Sequence, residues 1–137
     1  TAAFCEGQPP DCLVFLDWDR TVCTTRSGGS PLVGTHSADP DLMQVLRTFQ
    51  SRAQIVTRNS CRDDIHTFLT ARGLPAVTVT TVKKHETKAS AIVARMDQCR
   101  RPDGGLPPAV FADDSIAELL HSELLAAGVE RVLFSRG

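Results

Sequence analysis

Residues 13–21, LVFLDWDRT, set Leu13, Val14, Phe15 and Leu16 directly against Asp17, Trp18, Asp19, Arg20 and Thr21. A short apolar run with no polar residue alternating through it is the pattern of a strand buried on both faces, as in parallel sheets covered by helices. Carboxylates cannot follow such a run into the core without partners. Asp17 and Asp19 therefore mark the rim where the strand ends.

Similar runs lie downstream: AQIV at 53–56, AVTVTTV at 76–82, AVFA at 109–112 and RVLF at 131–134. Every run except the last is followed by a polar loop and a segment of helical periodicity. Asp39 and Pro40 are a cap and first-turn pair for a helix that carries Leu42, Leu46 and Phe49 and runs to about Ser51. Ser60 with Asp63 has the form of a capping box; Ile65, Phe68 and Leu69 follow, and Gly73 is placed to stop the second helix. Ala89, Ile92, Val93 and Met96 space a third helix. Ser115 with Glu118 opens a fourth, carrying Ile116, Leu119, Leu120 and Leu124 to Gly128. This rhythm predicts the α/β class: a single domain over 1–137 with a Rossmann-like parallel sheet between two helical layers.

Composition excludes several alternatives. Hydrophobic residues at 42% and charged residues at 23% are ordinary globular values. Lys plus Arg number 15 against 16 Asp plus Glu, a formal net charge of -1, so no global field recruits nucleic acid or an anionic membrane. No apolar run approaches the ~18 residues of a membrane span, and no segment has the layout of a secretory leader. Cys5, Cys12, Cys23, Cys61 and Cys99 are odd in number, scattered and without a C-x-x-C, which argues against a disulfide framework or a zinc site. A reducing, cytoplasmic setting is the expectation, and a start at Thr1 rather than Met is expected of a piece of a longer chain.

In a doubly wound sheet, ligands bind beyond the carboxyl ends of the strands, where the strand order reverses. The residues at those ends are Asp17, Asp19 and Thr21; then Thr57, Arg58 and Asn59; then Lys83, Lys84 and, a turn on, Lys88; then Asp113 and Asp114. For the two acidic groups to share a ligand, the first and fourth strands must be neighbours, since adjacent strands lie ~4.8 Å apart and second neighbours twice that. The order 3-2-1-4-5 satisfies this with right-handed crossovers. Converging carboxylates at Asp17, Asp19, Asp113 and Asp114 require a cation, and an all-oxygen set suits Mg²⁺. A hard cation beside a hydroxyl and a lysine traps a phosphoryl group, so phosphoryl transfer is the chemistry to expect. An ionised Asp17 can attack phosphorus, while Asp19 serves as acid and then base.

LVFLDWDRT resembles the hhhhDxDxT motif of the haloacid dehalogenase superfamily of phosphohydrolases. QIVT, ending at Thr57, resembles that family's second motif; HETKASAI is similar to its lysine motif through Lys88; AVFADDS resembles its acidic fourth motif. The likeness runs from Leu13 to Ser115. It implies that Asp17 is nucleophile and metal ligand, and that Asp19 is the acid/base whose backbone carbonyl also binds metal. Thr57, with Arg58 beside it, would bind phosphoryl oxygens, and Lys88 would neutralise nucleophile and phosphate. Asp113 would hold Mg²⁺ with Asp114 assisting.

Plainer roles stand beside these. Thr57 can close a turn through the backbone, Asp114 can cap the last helix instead of binding metal, and Lys84 is the substitute for Lys88. Trp18 is expected to pack under a loop, and His36, His66, His85 and His121 lack metal-ligand spacing. The chain has no room for a cap domain; only a Gly- and Ser-rich flap, Cys23 to Pro40, follows the first motif. It therefore resembles the capless class, whose open sites suit a phosphoprotein or another large phosphorylated substrate. Nucleic-acid ends stay open too, as does a small metabolite shielded by a partner subunit. Arg20, Arg26, Arg58, Arg62, Lys83 and Lys84 are expected at the rim. An inactive binding module and a phospho-accepting receiver domain are the rival readings; in a receiver the accepting Asp follows strand three, where this chain has lysines.

Overall fold

The computed structural model describes residues 7–26 and 28–134; Cys5 and Ser27 lie outside the described residues. Five strands, β1 (Leu13–Leu16), β2 (Ala53–Thr57), β3 (Thr78–Thr81), β4 (Ala109–Asp113) and β5 (Val129–Leu133), form one sheet in the order β3-β2-β1-β4-β5. Every pairing is parallel. The expected α/β topology is the observed one.

The apolar run of β1 divides by alternation. Val14 and Leu16 enter one core with Leu42, Leu46, Ile55, Ile65 and Leu69, while Leu13 and Phe15 enter the other with Ile92, Met96, Phe111, Leu119 and Leu124. Successive strand side chains point to opposite faces, so a strand with no polar position must be covered on both. Helices α1 (Pro40–Phe49) and α2 (Arg62–Thr70) cover the first face. Helices α3 (Lys88–Gln98), α4 (Ile116–Leu119) and α5 (Ser122–Ala126) cover the second.

Helix starts follow the sequence unevenly. Asp39 caps α1 as expected, accepting the Leu42 N–H at 2.9 Å with Pro40 in the first turn. A short 3₁₀ turn, Gln50–Arg52, then leads into β2. The Ser60–Asp63 capping box does not form: the N-cap of α2 is Cys61, without a side-chain cap bond. The Asn59 amide oxygen accepts the Cys61 N–H instead, at 2.8 Å. The single last helix is also corrected, because it breaks between α4 and α5, and Ser115 stands at the α4 N-cap without a side-chain bond. Leu119 and Leu124 are buried, but Ile116 and Leu120 face solvent. Four apolar residues in sequence do not share one stripe here.

The flap, read as a flexible connection, is pinned at several points. Cys23 bridges to both Asp19 and Ala38, and the Ser30 hydroxyl donates to Asp64 of α2 at 2.6 Å. Leu32 and Val33 remain exposed. Trp18 is fully buried, as expected, and meets the Phe68 ring edge-on at 5.5 Å. Cys12, Cys23, Cys61 and Cys99 are thiols, and no described helix is long and apolar enough to cross a membrane.

Candidate metal and phosphoryl site

Register places the acidic residues. Leu16 pairs with Ala112 across β1 and β4, and the Asp17 N–H donates to the Ala112 carbonyl at 3.0 Å, so the chain passes from apolar to acidic at the same level on adjacent strands. Asp17, Asp113 and Asp114 each offer a carboxylate oxygen within 4.8 Å of the others. Asp113 is fully buried and Asp17 nearly so.

Lys88 comes from the start of α3. Thr87 caps α3 by accepting the Ser90 N–H at 3.0 Å, and the first helical residue then points inward, only 4% exposed. Its ammonium donates to Asp17 Oδ1 and Asp113 Oδ2, both at 2.8 Å. Lys83 and Lys84 are exposed, so the choice between Lys88 and Lys84 as partner of the acids falls on Lys88. The second Asp17 oxygen accepts from the Thr21 hydroxyl at 2.9 Å. Asp113 Oδ1 accepts the Ser115 N–H at 2.8 Å.

Burial pushes the Asp17 carboxyl above the usual carboxylate range, and the Lys88 charge offsets this only in part; a hydrogen bond with the Asp114 carboxyl raises it further. Asp113 is raised as well, by burial first and then by the Asp17 charge. For Lys88, burial pulls the ammonium down, but Asp17 and Asp113 outweigh it and the net direction is up. Three carboxylates face one buried ammonium, and Arg20 stands 3.6 Å from the third of them, Asp114. Carboxylate oxygens gathered this closely could hold a metal ion.

The remaining expected residues are placed differently. The Asp19 carboxylate is not part of the acidic group: Oδ1 accepts from Thr25 at 2.7 Å and from the Asn59 amide at 3.0 Å, while Oδ2 accepts the Gly28 N–H at 3.2 Å. Thr57 is buried, and its hydroxyl oxygen accepts the Asn59 N–H at 3.0 Å, the turn-closing role. Arg58 is turned elsewhere. Its guanidinium donates to Glu118 at 2.8 Å and to the carbonyls of Lys83 and Glu86 at 2.9 and 2.8 Å, clamping the loop after β2 to the loop after β3 and to α4. Arg20 lies 3.6 Å from Asp114, so that carboxylate has a cationic neighbour and not a capping role.

Thr21, Thr25 and Asn59 had no assigned role in the sequence. Thr21 was legible, since a hydroxyl four residues beyond Asp17 can return to it across a tight turn. The Asn59 contact spans 40 positions and no local pattern announces it. Compared with known family models, curated protein sequences and solved structures, the chain finds no significant match.

Proposed function

We propose that this chain is a Mg²⁺-dependent phosphomonoester hydrolase of the haloacid dehalogenase type, working through an aspartyl phosphate on Asp17. The observation that carries the reading is the Lys88 ammonium, 2.8 Å from both Asp17 and Asp113, beside a third carboxylate at the switch point of the sheet. Asp17, Asp113 and Asp114 would hold the ion with the Asp19 carbonyl, and the ion would neutralise charge on the transferring group.

An Asp17 oxygen attacks phosphorus, and the bond from phosphorus to the leaving oxygen breaks. The Asp19 carboxyl gives its proton to that oxygen, then takes one from water, whose oxygen attacks phosphorus and returns the Asp17 carboxylate. Lys88 holds Asp17 in line and balances charge, and Thr57 supports the phosphoryl oxygens. Among the described residues only a flap, with no helix, separates β1 from α1, which supports a phosphoprotein or another large phosphorylated molecule as substrate.

Hydrolysis of p-nitrophenyl phosphate with Mg²⁺ tests the reading. Activity in the wild type that Asp17→Asn abolishes is expected. A folded wild type that turns over no phosphate ester with any divalent metal would instead make the chain a binding module.

A further inference from the structure

Asn59 is buried to 1% exposure, yet every polar atom of its side chain is committed. Its amide nitrogen donates to Asp19 Oδ1 at 3.0 Å and to the Gly29 carbonyl of the flap at 2.9 Å, while its amide oxygen accepts the Cys61 N–H at 2.8 Å. The backbone is fixed as well: its N–H donates to Thr57 Oγ1 at 3.0 Å and its carbonyl accepts from Thr81 at 3.1 Å. One residue thus joins the ends of β2 and β3, the start of α2, the flap and the Asp19 carboxylate. A side chain that only closed a turn would need the Cys61 contact alone.

We propose that Asn59 is a positioning residue that orients the Asp19 carboxyl for proton transfer to the leaving oxygen, an inference that rests on the phosphohydrolase reading. Two donors, Asn59 and Thr25, converge on Oδ1, at 3.0 and 2.7 Å. Oδ2 takes the longer Gly28 N–H contact, at 3.2 Å. Asn59 and Thr25 together fix Oδ1, and with it the plane in which the carboxyl meets the leaving oxygen as its bond to phosphorus breaks. Asn59 also ties Asp19 to the Gly29 carbonyl of the flap.

The dependence on leaving group tests this, because kcat/KM reports the first phosphoryl transfer and only a poor leaving group needs the proton. Asn59→Ala is expected to lower kcat/KM for glycerol 2-phosphate by about 100-fold. For p-nitrophenyl phosphate, whose leaving group departs unaided, the loss should be slight. Added to Asp19→Ala, the same change should cost nothing more on glycerol 2-phosphate, since Asn59 acts only through Asp19. Asn59→Asp, which keeps the acceptor for the Cys61 N–H, carries the same comparison should the alanine variant not fold. Equal losses on both esters, no loss on either, or a further loss on the Asp19→Ala background would overturn the role of Asn59 while leaving the phosphohydrolase reading intact. A folded wild type that hydrolyses neither ester would overturn both.

Discussion

Lys88 spends its charge on two carboxylates that are almost out of water, 2.8 Å from each. Removing one partner of such a buried set leaves the others uncompensated, at a cost of about 3–5 kcal/mol. Lys88→Met should lower the unfolding free energy by that order at neutral pH, and added Mg²⁺ should restore part of it; urea titrations with and without the metal measure both. A variant as stable as wild type would mean that the ammonium carries no such weight. Asp113 gives a pH test. Burial raises its carboxyl, so the folded metal-free protein holds a proton that the unfolded chain releases above about pH 3.9. The folded state binds more protons in that window, and the contribution of Asp113 to stability falls as pH rises toward its native value. Wild type minus Asp113→Asn should therefore decline with rising pH in chelator, and Mg²⁺ affinity should increase over the same range because the ion displaces the proton. The residue types at the site were legible because the acids stand at strand ends and Lys88 opens the helix after β3. The separation of Asp19 from the other acids was not, since both Asp17 and Asp19 leave β1 and only the contacts with Thr25, Gly28 and Asn59 decide where the second carboxylate turns.

Elements were legible where local chemistry and packing agree. Asp39 and Pro40 start α1, and the buried Leu42, Leu46 and Phe49 lie on its inner face. The last helical segment misleads because Ile116, Leu119, Leu120 and Leu124 fit a helical spacing, although the chain breaks at Leu120 and His121 so that Leu124 can enter the core beside β5. Tertiary packing overrides the periodic pattern there. The difference in capping is measurable. Asp39→Ala should cost about 1 kcal/mol, whereas Ser115→Ala, which loses no cap bond, should stay within about 0.5 kcal/mol of wild type in the same denaturant titration. Equal losses would contradict the assignment of caps.

The whole molecule owes its site to strand order. Residues 17, 88 and 113 belong to segments far apart in sequence, and only a sheet with β1 between β2 and β4 sets them side by side. That order was legible because two acidic strand ends sharing one ligand must be neighbours, while continuous apolar strands demanded helices on both faces. The role expected for Arg58 was not legible, because its real partners, Glu118 and the carbonyls of Lys83 and Glu86, come together only in the folded molecule. Slowing breakdown of the covalent intermediate tests the central claim most directly. Asp19→Asn, incubated with Mg²⁺ and p-nitrophenyl phosphate and quenched in acid, should yield a peptide carrying one phosphoryl group on Asp17 by mass spectrometry. Phosphate found on a serine, cysteine or histidine, with Asp17 unmodified while wild-type enzyme turns over, would contradict it.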